Sequence, residues 1–355
     1  MKILAIYLPA FHREIFNDMA WGKGFTEWNN VKNGKKLYKG HIQPLIPLND
    51  NYYDLSNKES IETQIKIAKQ NKIDGFIFYH YWFGNDKKAL YKPAEIMKNE
   101  IKEEFTYCFC WANHSWIKNW HDKSNETIVN QIYGDEKEWD KHIKYLIPFF
   151  KDEKYIKIDG RPVLYIYNMN DIKCFDKMLD YWNTSLKNND IKPIYIVEYI
   201  SARNKKNNCK KTEAVVEFEP LYTTFFDITF IQKLKRFLCK KLNKIDFQDY
   251  DYIWNKIINR KRTYNGINIQ KGCFVKWDNS ARKGHNCMIV KNDTPDKFKK
   301  NLESLINNNR KDSSNDFVVI NAWNEWSEGA VLEPDQHYKY AYLESVKKAV
   351  ENYEE

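Results

Sequence analysis

Asp316-Phe-Val-Val-Ile-Asn-Ala-Trp-Asn-Glu-Trp-Ser-Glu-Gly329, followed by Leu332-Glu-Pro-Asp335, is the stretch on which the reading of this chain turns. Its apolar run, Phe317 to Ile320, reads as a buried strand. It then breaks into polar and aromatic residues that close on Gly329, the composition of a loop leaving a strand. Glu325 and Glu328 stand three residues apart in that loop, with Trp323, Asn324 and Trp326 beside them. Two carboxylates held close among aromatic rings suit glycosyl chemistry. One must be ionised and the other protonated, and burial with mutual repulsion drives their pKa values apart. For an isolated pair the plainer reading is helix capping or a solvated turn, so the rest of the chain has to decide.

Working outward, the same pattern of an apolar run ending in polar and aromatic residues recurs. The runs are Lys2 to Leu8, Gly75 to Phe83, Thr106 to Ala112, Arg161 to Asn168, Pro193 to Tyr199, Ala214 to Pro220, Gly272 to Asp278 and Phe317 to Trp323. Helical apolar spacing fills Lys58 to Asn71, a segment opened by Pro93, Lys137 to Lys151, Asp171 to Asn188, Thr294 to Asn307 and Tyr338 to Tyr353. Eight strands, most followed by a helix, predict an α/β chain: a single (β/α)8 TIM barrel over residues 1–355. An open doubly wound sheet is the competitor. It carries a glycine-rich phosphate turn after its first strand, and Gly22-Lys-Gly24 lacks the third glycine.

In a barrel, the C-terminal ends of all strands meet on one face, where barrel enzymes keep their active sites. Tyr81 and Trp82 close the second strand, Trp111, Asn113 and His114 the third, Glu198 the fifth, Glu217 the sixth, and Trp277 and Asp278 the seventh. Each alone reads as packing or a satisfied polar group; their convergence makes them candidate substrate contacts. Glu27 joins them from the long loop after the first strand, Trp21-Gly-Lys-Gly-Phe-Thr-Glu-Trp28. Glu198 or Asp278 could also supply a rival acid/base pair.

Composition narrows the classes. Aromatic residues make up 16%, with 24 Tyr, 20 Phe and 12 Trp, suiting a surface for flat apolar faces such as sugars. The net charge of +9 is spread along a Lys-rich chain, without the concentrated basic motif of a nucleic-acid binder. The seven cysteines lack paired spacing, so a reducing cytoplasm and no disulfide framework are expected. No metal-ligand spacing or nucleotide-binding motif is legible, and no cofactor is expected. Met1 to Ala10 is too short and too quickly polar for a signal peptide, and no apolar run reaches transmembrane length.

One segment, about 221–262, breaks the rhythm after the sixth strand and reads as an inserted helical piece without a clear strand. It carries Gln232-Lys-Leu-Lys-Arg-Phe-Leu-Cys-Lys-Lys-Leu-Asn243, a basic amphipathic helix. The first reading is a solvated surface helix; the sharper one is a patch resting on an anionic membrane.

These motifs resemble the WbsX-like proteins of bacterial O-antigen and capsule gene clusters, related to glycoside hydrolase family 99, the endo-α-mannosidases. The resemblance runs nearly end to end. It includes Ile6-Tyr-Leu-Pro9, Trp21 to Trp28, Asp74-Gly-Phe76 with Tyr81-Trp-Phe83, Trp111-Ala-Asn113, Asp159-Gly-Arg-Pro162, Trp277-Asp-Asn-Ser-Ala-Arg282 and Asn321 to Gly329. It implies the same barrel and a carbohydrate-active enzyme of surface-polysaccharide assembly that transfers a glycosyl group. The substrate would be an oligosaccharide or lipid-linked glycan, and the location the cytoplasm or the inner membrane face. It further implies that Glu325 is a base taking the proton of the sugar 2-hydroxyl, giving a 1,2-anhydro sugar. Glu328 would protonate the leaving oxygen and later activate the acceptor. With water as acceptor the same pair makes a retaining hydrolase of endo-α-mannosidase type; a non-catalytic glycan-binding barrel is the third reading. Relatives often carry an acid after Trp-Ala-Asn, where this chain has His114, which implies a different sugar preference.

Overall fold

The computed structural model describes residues 1–118, 126–201, 210–261, 264, 266–310 and 317–354. Eight strands form its centre: β1 Lys2–Tyr7, β2 Gly75–Gly84, β3 Thr106–Trp111, β4 Arg161–Ile166, β5 Tyr195–Ile200, β6 Ala214–Glu217, β7 Asn268–Phe274 and β8 Phe317–Asn321. Each pairs in parallel with its neighbours in chain order, and β8 pairs with β1 through Lys2↔Phe317 to Ala5↔Ile320, so the sheet closes. This is the expected (β/α)8 barrel. The apolar runs form strands because parallel sheets are covered on both faces: all ten positions of β2 are buried. Across the lumen, the Tyr165 hydroxyl of β4 donates to Gln270 Oε1 of β7 at 2.6 Å, satisfying two polar groups inside the barrel.

The long excursion after β1 holds α1 Ile15–Trp21 and α2 Glu27–Lys32 before the first barrel helix, α3 Lys58–Gln70. Then come α4 Lys92–Asn99, α5 Glu136–Lys151 and α6 Phe175–Lys187. The segment after β6 forms α7 Leu221–Phe226, α8 Phe230–Lys241 and α9 Tyr250–Asn259. It also contains a strand that the sequence reading lacks, Asp246–Asp249, paired in parallel with Met288–Lys291 outside the barrel. That strand is short and polar (Asp-Phe-Gln-Asp), so no apolar run betrays it. α10 Ser280–Lys283, α11 Pro295–Arg310 and α12 Ala341–Glu354 complete the chain. Strand β7 begins at Asn268, before the expected Gly272, because its first half is polar. Among the described residues no helix is long and apolar enough to cross a membrane.

Candidate active site

After β8 the chain makes a tight hairpin. Asn324–Glu325 pairs antiparallel with Ala330–Val331, and Trp326–Glu328 forms one 3-10 turn between them. Gly329 ends the turn with φ +65°, and a Cβ there would lie 2.8 Å from the Asp278 amide nitrogen, so both its backbone conformation and its surroundings require glycine. Asn324 fixes the hairpin to the opposite end of the chain: its Oδ1 accepts from Leu8 N at 2.7 Å and its Nδ2 donates to Leu8 O at 3.0 Å. Glu333, from the following Leu-Glu-Pro-Asp motif, accepts from Tyr53, Trp326 and Gln64 at 2.6–2.7 Å. Burial nevertheless raises its pKa to about 7.

This hairpin projects Glu325 and Glu328 into a cavity of about 320 Å³ at the C-terminal mouth of the barrel. Arg282, at the end of the short α10, reaches between three carboxylates. Its Nη2 lies 2.6 Å from Glu27 Oε1 and 3.5 Å from Glu325 Oε2, and its Nη1 2.7 Å from Glu328 Oε1. Burial works against the Arg282 cation, and Glu27, Glu328 and Glu325 outweigh it, leaving the guanidinium more firmly charged than usual. Glu325 is the most strained of the acids. Burial first, then the neighbouring Glu328, pushes its pKa up to about 8, with Arg282 opposing and Glu27 adding. The turn therefore holds Glu325, whose carboxyl is pushed toward the protonated form, beside Glu328, which pairs with Arg282. Glu328 is also the more accessible, with 24% of its side chain exposed against 8% for Glu325.

Strand parity sorts the other expected contacts. Tyr81, with Tyr79, faces the cavity, whereas Trp82, one residue along, points outward onto His142 at 4.7 Å in a flat stack. Trp111 donates to the Trp82 carbonyl and packs on Trp182. Asn113 holds Asn168 by paired hydrogen bonds. His114 is on the cavity wall beside Tyr167, as is Glu27. Trp277 and Asp278 lie behind the hairpin, outside the cavity lining. His41, Gln43 and Ser280 hydrogen-bond to the Asp278 carboxylate, and these bonds outweigh burial and lower its pKa. Trp323 packs against Phe76 and Trp326 against Trp28. Trp323, Asn324 and Trp326 thus build the hairpin and do not line the cavity. Glu198 is buried near Thr212, and Glu217 is paired with Arg260; neither lines the cavity.

Sequence reading missed Arg282 as a site residue, although it ends the Trp277–Arg282 motif. It also missed Trp21, at the end of α1, and Trp116, in the short strand Trp116–Lys118, both of which line the cavity. Among the described residues no cluster of three His, Cys, Asp or Glu could hold a metal ion.

Comparison with known proteins follows the same lines. The fold is similar to a glycoside hydrolase-like protein (14% identity, TM-score 0.57, covering 98% of this chain and 93% of that one). It is also similar to the family 99 endo-α-mannosidase of Bacteroides thetaiotaomicron (11% identity, TM-score 0.57, covering 99% and 97%). In sequence the chain is 28% identical to the uncharacterized protein WxcX of Xanthomonas campestris pv. campestris strain B100 over 352 residues, 98% of this chain and 49% of WxcX. The chain thus spans about half the length of that relative. Residues 3–346 match the family described as glycosyltransferase WbsX, and the chain belongs to that family.

Proposed function

We propose that the cavity is a glycosyl-transferring active site in which Glu325 and Glu328 share one proton as an acid/base pair. The observation that carries this reading is the unequal pair on one turn: two carboxyls on one guanidinium, one held protonated near neutral pH. The first step needs one proton on the pair. Glu325 accepts the 2-hydroxyl proton, O2 closes on C1, the C1–O bond to the leaving group breaks, and Glu328 protonates the departing oxygen. In the second step Glu328 takes the proton of the acceptor hydroxyl as that oxygen bonds to C1. The C1–O2 bond opens and Glu325 returns its proton to O2. The free site already carries that single proton, on Glu325. For the first step as written, substrate binding has to move that proton from Glu325 to Glu328; without that shift the two acids exchange roles. The active form is thus the singly protonated pair under either order of roles, and its loss is a property of the pair.

The family's description as a glycosyltransferase supports transfer to a sugar hydroxyl, and the setting we propose for it is bacterial surface-polysaccharide (O-antigen or capsule) assembly at the inner membrane face. Hydrolysis uses the same pair with water as acceptor. Products read by mass separate the two. The purified protein is offered α-mannoside oligosaccharides in water, beside nucleotide- and lipid-phosphate sugars with sugar acceptors. A lengthened acceptor without free sugar, abolished by Glu328→Gln, is the expected result. Free reducing sugar would make the protein a hydrolase. Tight glycan binding without turnover would leave a binding barrel and overturn the catalytic reading.

A further inference from the structure

Helix α8 is inverted relative to an ordinary surface helix. Its capping box, Thr229 with Gln232, starts it cleanly, yet none of its twelve residues is buried. Phe230, Ile231, Leu234, Phe237, Leu238 and the following Leu242 are 45–80% exposed. At 100° per residue they occupy one arc of the helix. The side turned toward the protein is instead charged: Arg236 donates to the Thr224 carbonyl at 2.6 Å, pairs with Asp246 at 3.2 Å and covers the Phe225 ring at 4.0 Å. The apolar face is thus held outward by the partly buried Arg236 cation.

Charge identifies what covers that face. Between Phe230 and Ile245 there is no acid, while Lys233, Lys235 and Lys240 flank the apolar arc, Lys241 lies within it at the last turn and Lys244 follows the helix. An apolar arc with lysines around it suits the boundary of an anionic bilayer, where apolar side chains enter and lysine stems reach back to the headgroups. At twelve residues the helix is about 18 Å long, too short to span a membrane but suited to lying in its plane.

The elements on either side of α8 in sequence reach the cavity, although α8 itself does not line it. Leu221 of the preceding α7 lines it, as does Lys283. Burial, Arg282 and Lys240 of α8 together lower the pKa of Lys283, with Glu328 opposing. We propose that α8 docks on an anionic lipid surface and so holds the cavity mouth at the membrane. The substrate there is a sugar carried on a lipid phosphate, which Lys283 on the cavity wall meets. The docking stands without the reading of the cavity as a glycosyl site; only the identity of the entering sugar rests on it.

Co-sedimentation with phosphatidylcholine vesicles, with and without phosphatidylglycerol, tests this. The protein should bind the anionic vesicles, bind neutral ones far less, and be released by high salt. The quadruple Lys233→Gln, Lys235→Gln, Lys241→Gln, Lys244→Gln variant should weaken binding by about fivefold per lysine. Phe230→Ser with Phe237→Ser should abolish it, with an unchanged melting temperature because both rings are exposed. Glu328→Gln should bind vesicles like the parent while losing turnover, which separates failure of docking from failure of the catalytic reading. Absence of vesicle binding in the parent, or unchanged binding in these variants, would overturn the proposal. So would self-association through the same face, abolished by Phe237→Ser, without vesicle binding.

Discussion

Two arginines, each surrounded by three acids, sit on the C-terminal side of this barrel, and they do opposite things. Arg260, just after α9, pairs with Glu217, Glu219 and Asp227. Tyr264 adds a hydrogen bond to Glu217, Thr223 adds two to Glu219, and the guanidinium covers the Tyr222 ring. None of the three acids lines the cavity. The cluster ties the segment after β6 back to its strand. Arg282 also binds three acids, but all of them line the cavity, and it reaches Glu325 only at 3.5 Å. Burial and a neighbouring carboxylate raise one acid in each cluster, Glu219 and Glu325, but the first is closed off and held by Arg260 and Thr223 while the second faces the cavity. An arginine with acids is therefore no signature of function; unequal acids open to a cavity are.

Substitutions at each cluster should break this contrast in order of size. Glu325→Gln and Glu328→Gln should each cut turnover by about 10²–10⁴-fold in a folded protein, the span of general acid–base contributions. Near-normal rates in either variant would remove the pair from the mechanism. Glu325→Gln should also change stability in the opposite sense. Because folding raises this carboxyl's pKa from 4.5 to about 8, the native protein loses stability as pH rises between those values. The variant's melting temperature should gain on the parent's as pH goes from 4.5 to 8, read by thermal unfolding. Glu333→Gln should instead lose stability, since its two oxygens accept three donors that an amide cannot all satisfy.

Arg260→Met should unfold more easily by about 3–5 kcal/mol in denaturant titration, leaving the buried Glu217 and Glu219 and the partly buried Asp227 without their cation. Arg282→Gln should be the mirror image. Loss of its charged hydrogen bonds should lower kcat/KM by about 10- to 100-fold, on a scale of about 1.5–3 kcal/mol. In the parent, kcat/KM should fall above pH about 8 as the pair loses its proton. Arg282 opposes the rise in the Glu325 pKa, so its removal should move that falling limb to higher pH. A limb that stays in place would mean that Glu325 does not set it. The smallest effect belongs to the mouth. Trp21→Ala or Trp116→Ala should raise KM several-fold with kcat little changed, the size of one ring contact of about 1 kcal/mol.

The barrel was legible because apolar runs covered on both faces stand out in any sequence, and eight of them leave few topologies. What escaped was polar: the start of β7, where Gln270 serves the lumen, and the strand Asp246–Asp249. Within the site, Glu325, Glu328, Glu27, Tyr81 and His114 come together. Trp82 and Trp111 do not, and parity explains it: neighbours along a strand face opposite sides, so Tyr81 and Trp82 cannot both face the cavity. That signal was in the sequence. Arg282 stood in a quoted motif without a sign that it meets the two glutamates, and Trp116 carried no local signal; both reach the mouth from short elements whose course only the fold defines. The helix α8 was legible as amphipathic, but not which face looks outward; that depends on Arg236 finding Thr224 and Asp246.

The most direct measurement is a carboxyl titration of the substrate-free protein, by carbon NMR with labelled glutamate or by infrared difference spectroscopy, in the parent and in Glu325→Gln. One buried carboxyl should remain protonated at neutral pH, titrate near pH 8 and vanish in the variant. If every carboxyl that Glu325→Gln removes from the spectrum is already ionised at pH 6, the cavity holds no shared proton and the account of an unequal acid/base pair is wrong.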